Sequence, residues 1–318
     1  NLIVPLIKDV LESPLAGTTG ILTKTNEDAV FIACLLQEQG MPVRLVQTNS
    51  GNFYLGDLDE IRYFNRALDL SQDTHLIDDE RWETAKRCLK REFGHAQSWE
   101  ICRNIILNFE QVYSRKYHSD WTNYLFESKL EDFYPVQGEA IVVSTIHKAK
   151  GKEFDNVFLL LTNIESLSDE KKREVYVAIT RAKQNLSIHT NGHYLSNIAN
   201  GLAEYRINSN TYPAPQSLCY TLTHRDLWLD FFIDSHCQAA INTLKSGMSL
   251  RLTEKGCTDF SNNEILRFSK KFKDILNELI QKDYKLEKAS VNFVVYWEKQ
   301  EDKKEAKIVL PKVVFKKV

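Results

Sequence analysis

The distribution of apolar and polar residues predicts a strand–helix–strand unit near the start of the chain. After a short predicted helix at residues 2–12, the apolar run at residues 20–26 ends in polar side chains, as a buried strand does. Residues 27–39 carry apolar side chains at helical spacing, and Gly40 follows where glycine commonly ends a helix. A second apolar run at residues 43–46 completes a βαβ unit, which favours an at least partly parallel sheet.

Residues 57–133 have a helical pattern throughout, with apolar and aromatic side chains recurring on one face of each predicted helix. No strand pattern interrupts them, so we expect an all-helical insertion at about residues 57–135. A second α/β stretch follows the insertion. Its predicted strands are 140–144, 157–161 and 186–189, and its predicted helix is 173–182.

Residues 208–217 contain two prolines with serine and asparagine, which is typical of a linker. They divide a first domain, 1–207, from a second, 218–318, which we expect to be a small α+β or barrel-like domain. Its predicted helices are 224–244 and 268–282, and its predicted strands are 249–253, 290–297, 306–310 and 313–315. Residues 248–318 hold 16 Lys and Arg against 11 Asp and Glu, so the basic character lies at this end.

Composition narrows the class of protein. The chain has 318 residues, enough for two domains, and its 43% hydrophobic and 26% charged residues exclude wholesale disorder. A net charge of −2 excludes a uniformly basic nucleic-acid coat but allows a local basic groove. Because no apolar run approaches the ~20 residues of a membrane span, we expect no membrane partner.

The six cysteines are scattered and none forms a C-x-x-C pair, which excludes a zinc knuckle and a small disulfide scaffold. We expect reduced, mostly structural thiols in a cytoplasmic protein, nucleoid-associated if it is bacterial. His236 and Cys237, with His224 nearby, fit one helix better than a metal site, so no metal ligands are expected in this chain. The chain begins at Asn1 without methionine or a signal peptide, which favours a segment of a longer protein.

The stretch from Val143 to Val157 is the most informative for function. It contains the carboxyl end of a predicted strand, a turn at Gly151 and a second strand, and ligands of open α/β sheets bind at such carboxyl ends. Thr145 and His147 can donate to a phosphate oxygen, and Glu153 can accept from a sugar hydroxyl. The alternative interpretation is a surface loop with incidental charge.

A second informative stretch runs from Arg173 to Ala182. Its apolar residues fall at helical spacing, Arg181 adjoins that apolar face, and Arg173 lies two turns earlier. A guanidinium fixed by a packed helix is a suitable donor to a transferring phosphoryl group. The alternative is that Arg181 is an ordinary solvated charge.

In their order along the chain and in their residues, the two stretches resemble motifs V and VI of superfamily 1 DNA helicases of the UvrD/Rep/PcrA type. Gly20–Asn26, ending in Thr-Lys-Thr-Asn, and Gly40–Val43 resemble the same family's strand ending in R-T-N and its following G-I-P. The resemblance extends to about residue 204. It implies an α/β fold, in which a RecA-like parallel sheet of the second motor domain carries a helical insertion.

The resemblance also implies roles for individual residues. Arg181 would be catalytic and reach the γ-phosphate of ATP, while Gly151, Glu153 and Arg173 would help to bind the nucleotide. Single-stranded DNA would be contacted by Lys24, Asn26, Thr145 and His147. ATP and Mg²⁺ would be bound mainly by an upstream RecA-like domain of the same parent chain, which is the other expected partner.

Three positions depart from the family pattern. Lys24 replaces the usual arginine, which keeps the charge but loses the fork geometry of the guanidinium. Lys152 stands where leucine is usual, and Glu174 where an apolar residue is usual. The last two bear on local packing more than on the chemistry.

The chain contains no P-loop of the form G-x-x-x-x-G-K-[ST]. Gly151-Lys152 has Ile146 five residues upstream, and the acidic run at residues 78–80 is not preceded by an apolar strand, so it is not a Walker B motif. We therefore expect this segment alone not to hydrolyse ATP.

Two functions from different classes remain open. The chain is either the C-terminal motor portion of an ATP-dependent DNA helicase or a helicase-like domain retained as a DNA-binding or protein-docking module. In the last hundred residues, a basic helix with Lys270, Lys271 and Lys273, near Tyr296 and Trp297, would contact nucleic acid or would be an ordinary solvated face above core aromatics.

Overall fold

The computed structural model describes most of the chain, which folds into two compact units. The described residues are 2–46, 54–70, 75–133, 141–162, 168–191, 195, 214, 216–234 and 236–318. Unit 1 consists of residues 1–48 and 136–219, and unit 2 of residues 49–135 and 220–318. Within the described ranges, no helix is both long and apolar enough to cross a lipid bilayer.

The α-helices of the described residues are α1 (Ile3–Glu12), α2 (Asn26–Glu38), α3 (Asp59–Ala67), α4 (Asp79–Phe93), α5 (Trp99–Val112), α6 (His118–Glu127), α7 (Asp169–Ile179), α8 (Asp230–Asp234), α9 (Gln238–Ile241) and α10 (Lys270–Gln281). The strands are β1 (Thr19–Thr23), β2 (Val43–Val46), β3 (Ile141–Thr145), β4 (Phe154–Leu161), β5 (Ala182–Thr190), β6 (Ser217–Thr221), β7 (Ser249–Leu252), β8 (Gly256–Thr258), β9 (Glu264–Arg267), β10 (Tyr284–Glu298) and β11 (Glu305–Lys317).

Unit 1 is built on a five-stranded sheet in the order β2-β3-β1-β4-β5, and all its neighbouring strands are parallel. The central strand β1 is buried along its whole length, as expected for a parallel sheet covered on both faces. Ile21 packs with apolar residues of α1 and α2. The next residue, Leu22, points to the opposite face and packs with Val175 and Ala178 of α7.

In unit 2, the helices α3 to α6 surround a cluster of aromatic side chains. Phe64, Trp82, Phe109 and Trp121 are each at most 1% exposed. The rings of Trp82 and Trp121 meet edge to face with centroids 5.2 Å apart. Both indole N–H groups are satisfied, because Trp82 donates to Glu110 at 2.7 Å and Trp121 donates to Asn65 at 2.8 Å. Burial of these rings stabilises the helical segment.

The second sheet has six strands in the order β6-β11-β10-β7-β8-β9. Its longest elements, β10 and β11, form an antiparallel pair that runs from Tyr284↔Lys317 to Glu298↔Glu305, with irregularities at 286/288 and 291/293. The strands β7, β8 and β9 continue the sheet in antiparallel order. Phe272 and Leu279 are the buried residues of α10.

The helical segment and the six-stranded sheet share contacts within unit 2. Leu58 forms an isolated antiparallel bridge with Val295 of β10. The carboxylate of Asp59 lies 2.8 Å from Nζ of Lys307, and both side chains are nearly inaccessible to solvent. The backbone N–H of Gln97 donates to the carbonyl oxygen of Ser246 at 3.0 Å. These contacts join segments that are far apart in the sequence.

The α/β class, the parallel sheet with its helical insertion and the additional small domain are confirmed. The proposed domain boundaries stay a prediction, and of the linker at 208–217, residues 208–213 and 215 lie outside the described part of the chain. All six cysteines are described and none forms a disulfide.

The single helix predicted at 224–244 is wrong. The structure has a 3₁₀ turn at His224–Asp226, followed by the short helices α8 and α9. The carboxylate of Asp226 accepts from the N–H and hydroxyl of Thr223, and the N–H of Trp228 donates to the carbonyl of Arg267 at 2.9 Å. A backbone N–H used in this way cannot continue a helix.

The two strands predicted at 306–310 and 313–315 are one strand, β11, which passes through Pro311. Proline lacks an N–H and is tolerated in sheets next to bulges. Pro311 lies opposite Val291, beside the irregularity at 291/293, so β11 continues past it.

Candidate functional site

The carboxyl ends of β1 and β3 lie side by side in unit 1. Thr23, the last residue of β1, is paired in register with Thr145, the last residue of β3. The exposed Lys24 follows β1, and Asn26 begins α2. The hydroxyl of Thr25 caps this helix by accepting from the N–H of Asp28 at 3.1 Å, which fixes the direction in which the chain leaves the sheet.

A 3₁₀ turn, Ile146–Ala149, leaves the end of β3 and presents His147 to solvent. Ile146 and Ala149 are each 1% exposed in the core, so the two residues between them face outward. The imidazole of His147 is 80% exposed. Lys148 donates from Nζ to Oδ1 of Asn26 at 2.9 Å and thereby joins the turn after β3 to the start of α2.

Four of the residues predicted to contact DNA are therefore brought to one edge of the sheet. They are Lys24, Asn26, Thr145 and His147, and we call them the carboxyl-edge group. Thr145 is only 6% exposed, so the accessible side chains of this group are those of the other three residues.

The connection from β3 to β4 then crosses to the other end of the sheet. Gly151 has φ +82°, in the left-handed region, and open space where a Cβ would stand. The N–H of Lys152 donates to the carbonyl of Ala149 at 3.0 Å, which closes the turn. Glu153 directly precedes β4, so this part of the stretch lies where β4 begins.

Arg181 lies at the same end, because it directly precedes β5 and Phe154 is paired with Ala182. Its guanidinium folds back onto the end of α7, because Nε donates to the carbonyl of Val177 at 2.9 Å. Nη1 donates to the carbonyl of Lys152 at 3.2 Å, and Nη2 to the hydroxyl of Thr180 at 3.2 Å. The two motif stretches thus contact each other through this arginine.

Gly151, Glu153 and Arg181 form what we call the amino-edge group. The sequence pattern places the ligands of the stretch from Val143 to Val157 at the carboxyl end of a strand, but in the structure Gly151 and Glu153 lie at the amino end of β4. The reason is topological, because parallel strands require the connection from β3 to β4 to return to the start of the sheet. Arg173 belongs to neither group and is exposed on α7.

The position of α7 explains the departure from the family pattern at Glu174. Val175 and Ala178 are buried against the sheet, which turns Glu174 toward the 3₁₀ turn after β3. Its carboxylate is 16% exposed and lies 3.3 Å from Nε2 of His147. Lys152, the other departure with a bearing on packing, supplies the backbone carbonyl that holds Arg181.

Two acidic residues, Glu153 of the amino-edge group and the nearby Asp155, lie at the start of β4. Glu153 lies 3.7 Å from Nζ of Lys183, an exposed pair. Asp155 accepts from both the N–H and the hydroxyl of Thr18 at 2.8 Å, and these hydrogen bonds, the backbone one first, lower the pKa of Asp155 below its ordinary value. Sequence reasoning missed Asp155 because Thr18 is 137 residues away along the chain.

Among the residues that the structure describes, no three His, Cys, Asp or Glu side chains are grouped as possible ligands of one metal ion. The positive donors near the amino-edge group are arginine and lysine side chains, which suit phosphate oxygens.

Residues 104–193 match the family model of the UvrD-like helicase C-terminal domain. The matched segment includes both informative stretches, Val143–Val157 and Arg173–Ala182, all of the amino-edge group and two of the four carboxyl-edge residues. Lys24 and Asn26 lie outside it. No curated protein matches the chain significantly.

Proposed function

We propose that the chain forms the second half of the motor of an ATP-dependent DNA helicase or translocase, since residues 104–193 match the family model of the UvrD-like helicase C-terminal domain. The observation that carries the proposal is the direct contact between the two motif stretches, in which the guanidinium of Arg181 is hydrogen-bonded to the carbonyl of Lys152. An upstream RecA-like domain would complete the ATP site and supply most of the contacts to ATP and Mg²⁺.

The amino-edge group suits the phosphates and sugar of a nucleotide. Arginine has five N–H donors, and the contacts within the described residues use three of them, which leaves two for phosphate oxygens. Its anchoring to the end of α7 fixes the guanidinium, so little side-chain entropy is lost when a phosphate arrives. Glu153 is 59% exposed and can accept from a ribose hydroxyl.

The carboxyl-edge group suits single-stranded DNA. Lys24 of this group and the adjoining Lys148 are cationic, and His147 is exposed on a turn that is anchored by two buried residues. These side chains can bind phosphate oxygens without reading sequence, as a translocating motor requires.

The two groups are joined by short, packed connections. The turn that carries His147 continues directly to Gly151 and Glu153, and α7 contacts His147 through Glu174 and ends just before Arg181. Closure of the cleft between the two motor domains on ATP would engage Arg181 with the γ-phosphate. A shift of α7 would then reach the DNA contacts, so that repeated closing and opening moves the strand.

The test is the steady-state ATPase rate of the full-length parent, with and without single-stranded DNA, for the wild type and Arg181→Ala. We expect DNA to stimulate the wild type, and the variant to lose at least about 1,000-fold in turnover, the scale of arginine contributions to phosphoryl transfer. The Kd for single-stranded DNA should stay nearly unchanged.

Arg181→Lys separates charge from geometry, since lysine keeps the charge but cannot bind two oxygens as a fork. Lys171→Ala, at an exposed position on α7, is the control variant and should leave turnover intact. DNA-stimulated turnover retained in Arg181→Ala would refute the role of Arg181. Absence of DNA-stimulated turnover in the wild type would favour a non-catalytic DNA-binding or docking module.

A further inference from the structure

The pairing of β10 with β11 places four lysines on one face of the second sheet. Lys285 is directly opposite Lys316, and Ser290 is directly opposite Lys312. Lys288 is opposite Val314. Because side chains alternate along a strand, Val314 lies on the same face of β11 as Lys312 and Lys316, and Lys288 therefore lies on that face too. Tyr284, Val291, Val313 and Phe315 are buried on the other face, so the lysine face is the one turned to solvent.

Like charges directly across an antiparallel pair are destabilising. The Lys285↔Lys316 pair is therefore not explained by the stability of the sheet. Glu287, in the irregularity between Leu286 and Lys288, lies 3.8 Å from Lys316 and offsets one of the charges. The four lysines leave a net positive strip about 13 Å long on β11, at roughly 3.3 Å per residue.

The neighbouring strand β7 extends this face with an arginine, and an aromatic ring from the turn between β8 and β9 lies beside that arginine. Ser249 is paired with Ser290, so Arg251, two residues further along β7, lies on the same face as the lysines. Its guanidinium is 5.1 Å from the ring centroid of Phe260. Phe260 is 63% exposed, so its ring is accessible to a binding partner.

The structure gives less support to the helix α10 as a nucleic-acid-binding surface, although the sequence favoured it. Lys271 of α10 is 3.3 Å from the carboxylate of Asp226. Tyr296 is not available for stacking, because Arg62 and Lys307 lie over its ring, 5.1 and 5.4 Å from the centroid. The candidate surface therefore shifts from α10 to the sheet.

We infer that this basic face of β7, β10 and β11, defined by Arg251, Phe260, Lys285, Lys288, Lys312 and Lys316, binds the phosphate backbone of a single-stranded nucleic acid, with Phe260 stacking on a base. A row of cations beside an accessible aromatic ring is the arrangement that binds single strands without sequence preference. A duplex offers the same phosphates but hides the faces of its bases, and for that reason the single strand is the better fit. The surface lies in unit 2, so it is separate from the carboxyl-edge group.

The test measures binding of a fluorescent oligothymidine to the whole chain by anisotropy at low salt. Lys285→Glu with Lys288→Glu is compared with Lys270→Glu with Lys273→Glu, which reverses the same number of exposed charges on α10. We expect the sheet variant to bind at least tenfold more weakly and the helix variant to bind nearly as the wild type does. The slope of log K against log salt should fall by about 1.4 in the sheet variant, at roughly 0.7 per lost phosphate contact.

Phe260→Ala keeps every charge and tests the stacking contact. It should weaken binding to the single strand about fivefold or more, since stacking contributes about 1–3 kcal/mol per base, and it should leave binding to a duplex of equal length unchanged. Thermal unfolding of each variant verifies that the sheet is intact. Equal weakening by the helix and sheet variants, tighter binding of the duplex, or full competition by polyglutamate would overturn the inference.

Discussion

At the scale of single residues, two glutamates show how burial and contact give similar side chains different roles. Glu174 reaches an exposed histidine of the carboxyl-edge group, whereas Glu60 of α3 is 2% exposed and accepts a hydrogen bond from the hydroxyl of Ser98. Burial raises the pKa of Glu60 above its ordinary value, and the Ser98 hydrogen bond opposes the shift only in part. Ionisation of Glu60 is therefore a cost to the stability of unit 2.

This cost predicts a stabilising substitution with a defined pH dependence. Because the pKa of Glu60 is higher in the folded than in the unfolded state, stability falls as pH rises from the unfolded pKa to the folded one, and the cost is constant above it. Glu60→Gln should raise the Tm at pH 8 by roughly 2–4 °C, which corresponds to about 1 kcal/mol in a domain of this size. The gain should shrink toward pH 4, where the glutamate is protonated in both states.

The matched control is Glu278→Gln, an exposed glutamate on α10 of the same unit. Its Tm should follow that of the wild type across the pH range. If Glu60→Gln were destabilising at pH 8, or if its effect did not vary with pH, the buried carboxylate would not be a net cost.

At the scale of elements, the turn between the 3₁₀ segment and β4 depends on Gly151. Its φ of +82° is rarely adopted by residues with a side chain, although the space around it is open. The cost of replacing it is therefore backbone strain without steric overlap.

Gly151→Ala should lower the free energy of unfolding of unit 1 by about 1 kcal/mol or more, because alanine must either adopt the strained conformation or shift the turn. Gly40→Ala is the matched comparison, since Gly40 has φ +76°, open space and the same unit. We expect similar losses in urea unfolding but a loss of DNA-stimulated ATPase in the Gly151 variant alone. A similar loss of ATPase in both variants would mean that the turn has no specific link to the nucleotide.

Helices and strands that are determined by residues close to them in the chain could be predicted from the sequence. The helix α2 and its flanking strands follow from apolar periodicity and from Gly40, and β2 was predicted at the residues where it occurs. The helix predicted across residues 224–244 failed because the N–H of Trp228 is used by Arg267, which periodicity does not reveal. The break expected at Pro311 failed because β10 bulges beside it.

The candidate site shows the same division. The identity and order of the residues were enough to find the two motif stretches in the sequence. They did not show which residues lie at which end of the sheet, because that follows from the order of the strands. The contact of Lys148 with Asn26 spans 122 residues, and the basic face of the second sheet exists only through the register of β10 and β11. Such pairings require the fold.

At the scale of the whole molecule, unit 2 is assembled from two segments separated by much of unit 1 in the sequence. The nearly inaccessible ion pair between Asp59 and Lys307 joins them, and Arg62 adds a more exposed pair with Glu305 at 2.9 Å. We therefore expect the helical segment and the six-stranded sheet to unfold together.

Lys307→Met tests this expectation, because it leaves the carboxylate of Asp59 buried without its cation. Removing one partner of a buried pair costs about 3–5 kcal/mol, whereas replacing both with apolar residues recovers much of the loss, so Asp59→Leu with Lys307→Met should be more stable than Lys307→Met alone. Lys303→Met, which removes an exposed pair with Glu298, should change stability by less than about 1 kcal/mol.

Hydrogen exchange of the backbone amides tests whether the helical segment and the six-stranded sheet unfold together. In Lys307→Met, the amides of α3 and those of β10 and β11 should lose protection to the same extent. Loss confined to the strands would mean that the helical segment folds independently of the sheet, and the two segments would then be separate domains that merely touch.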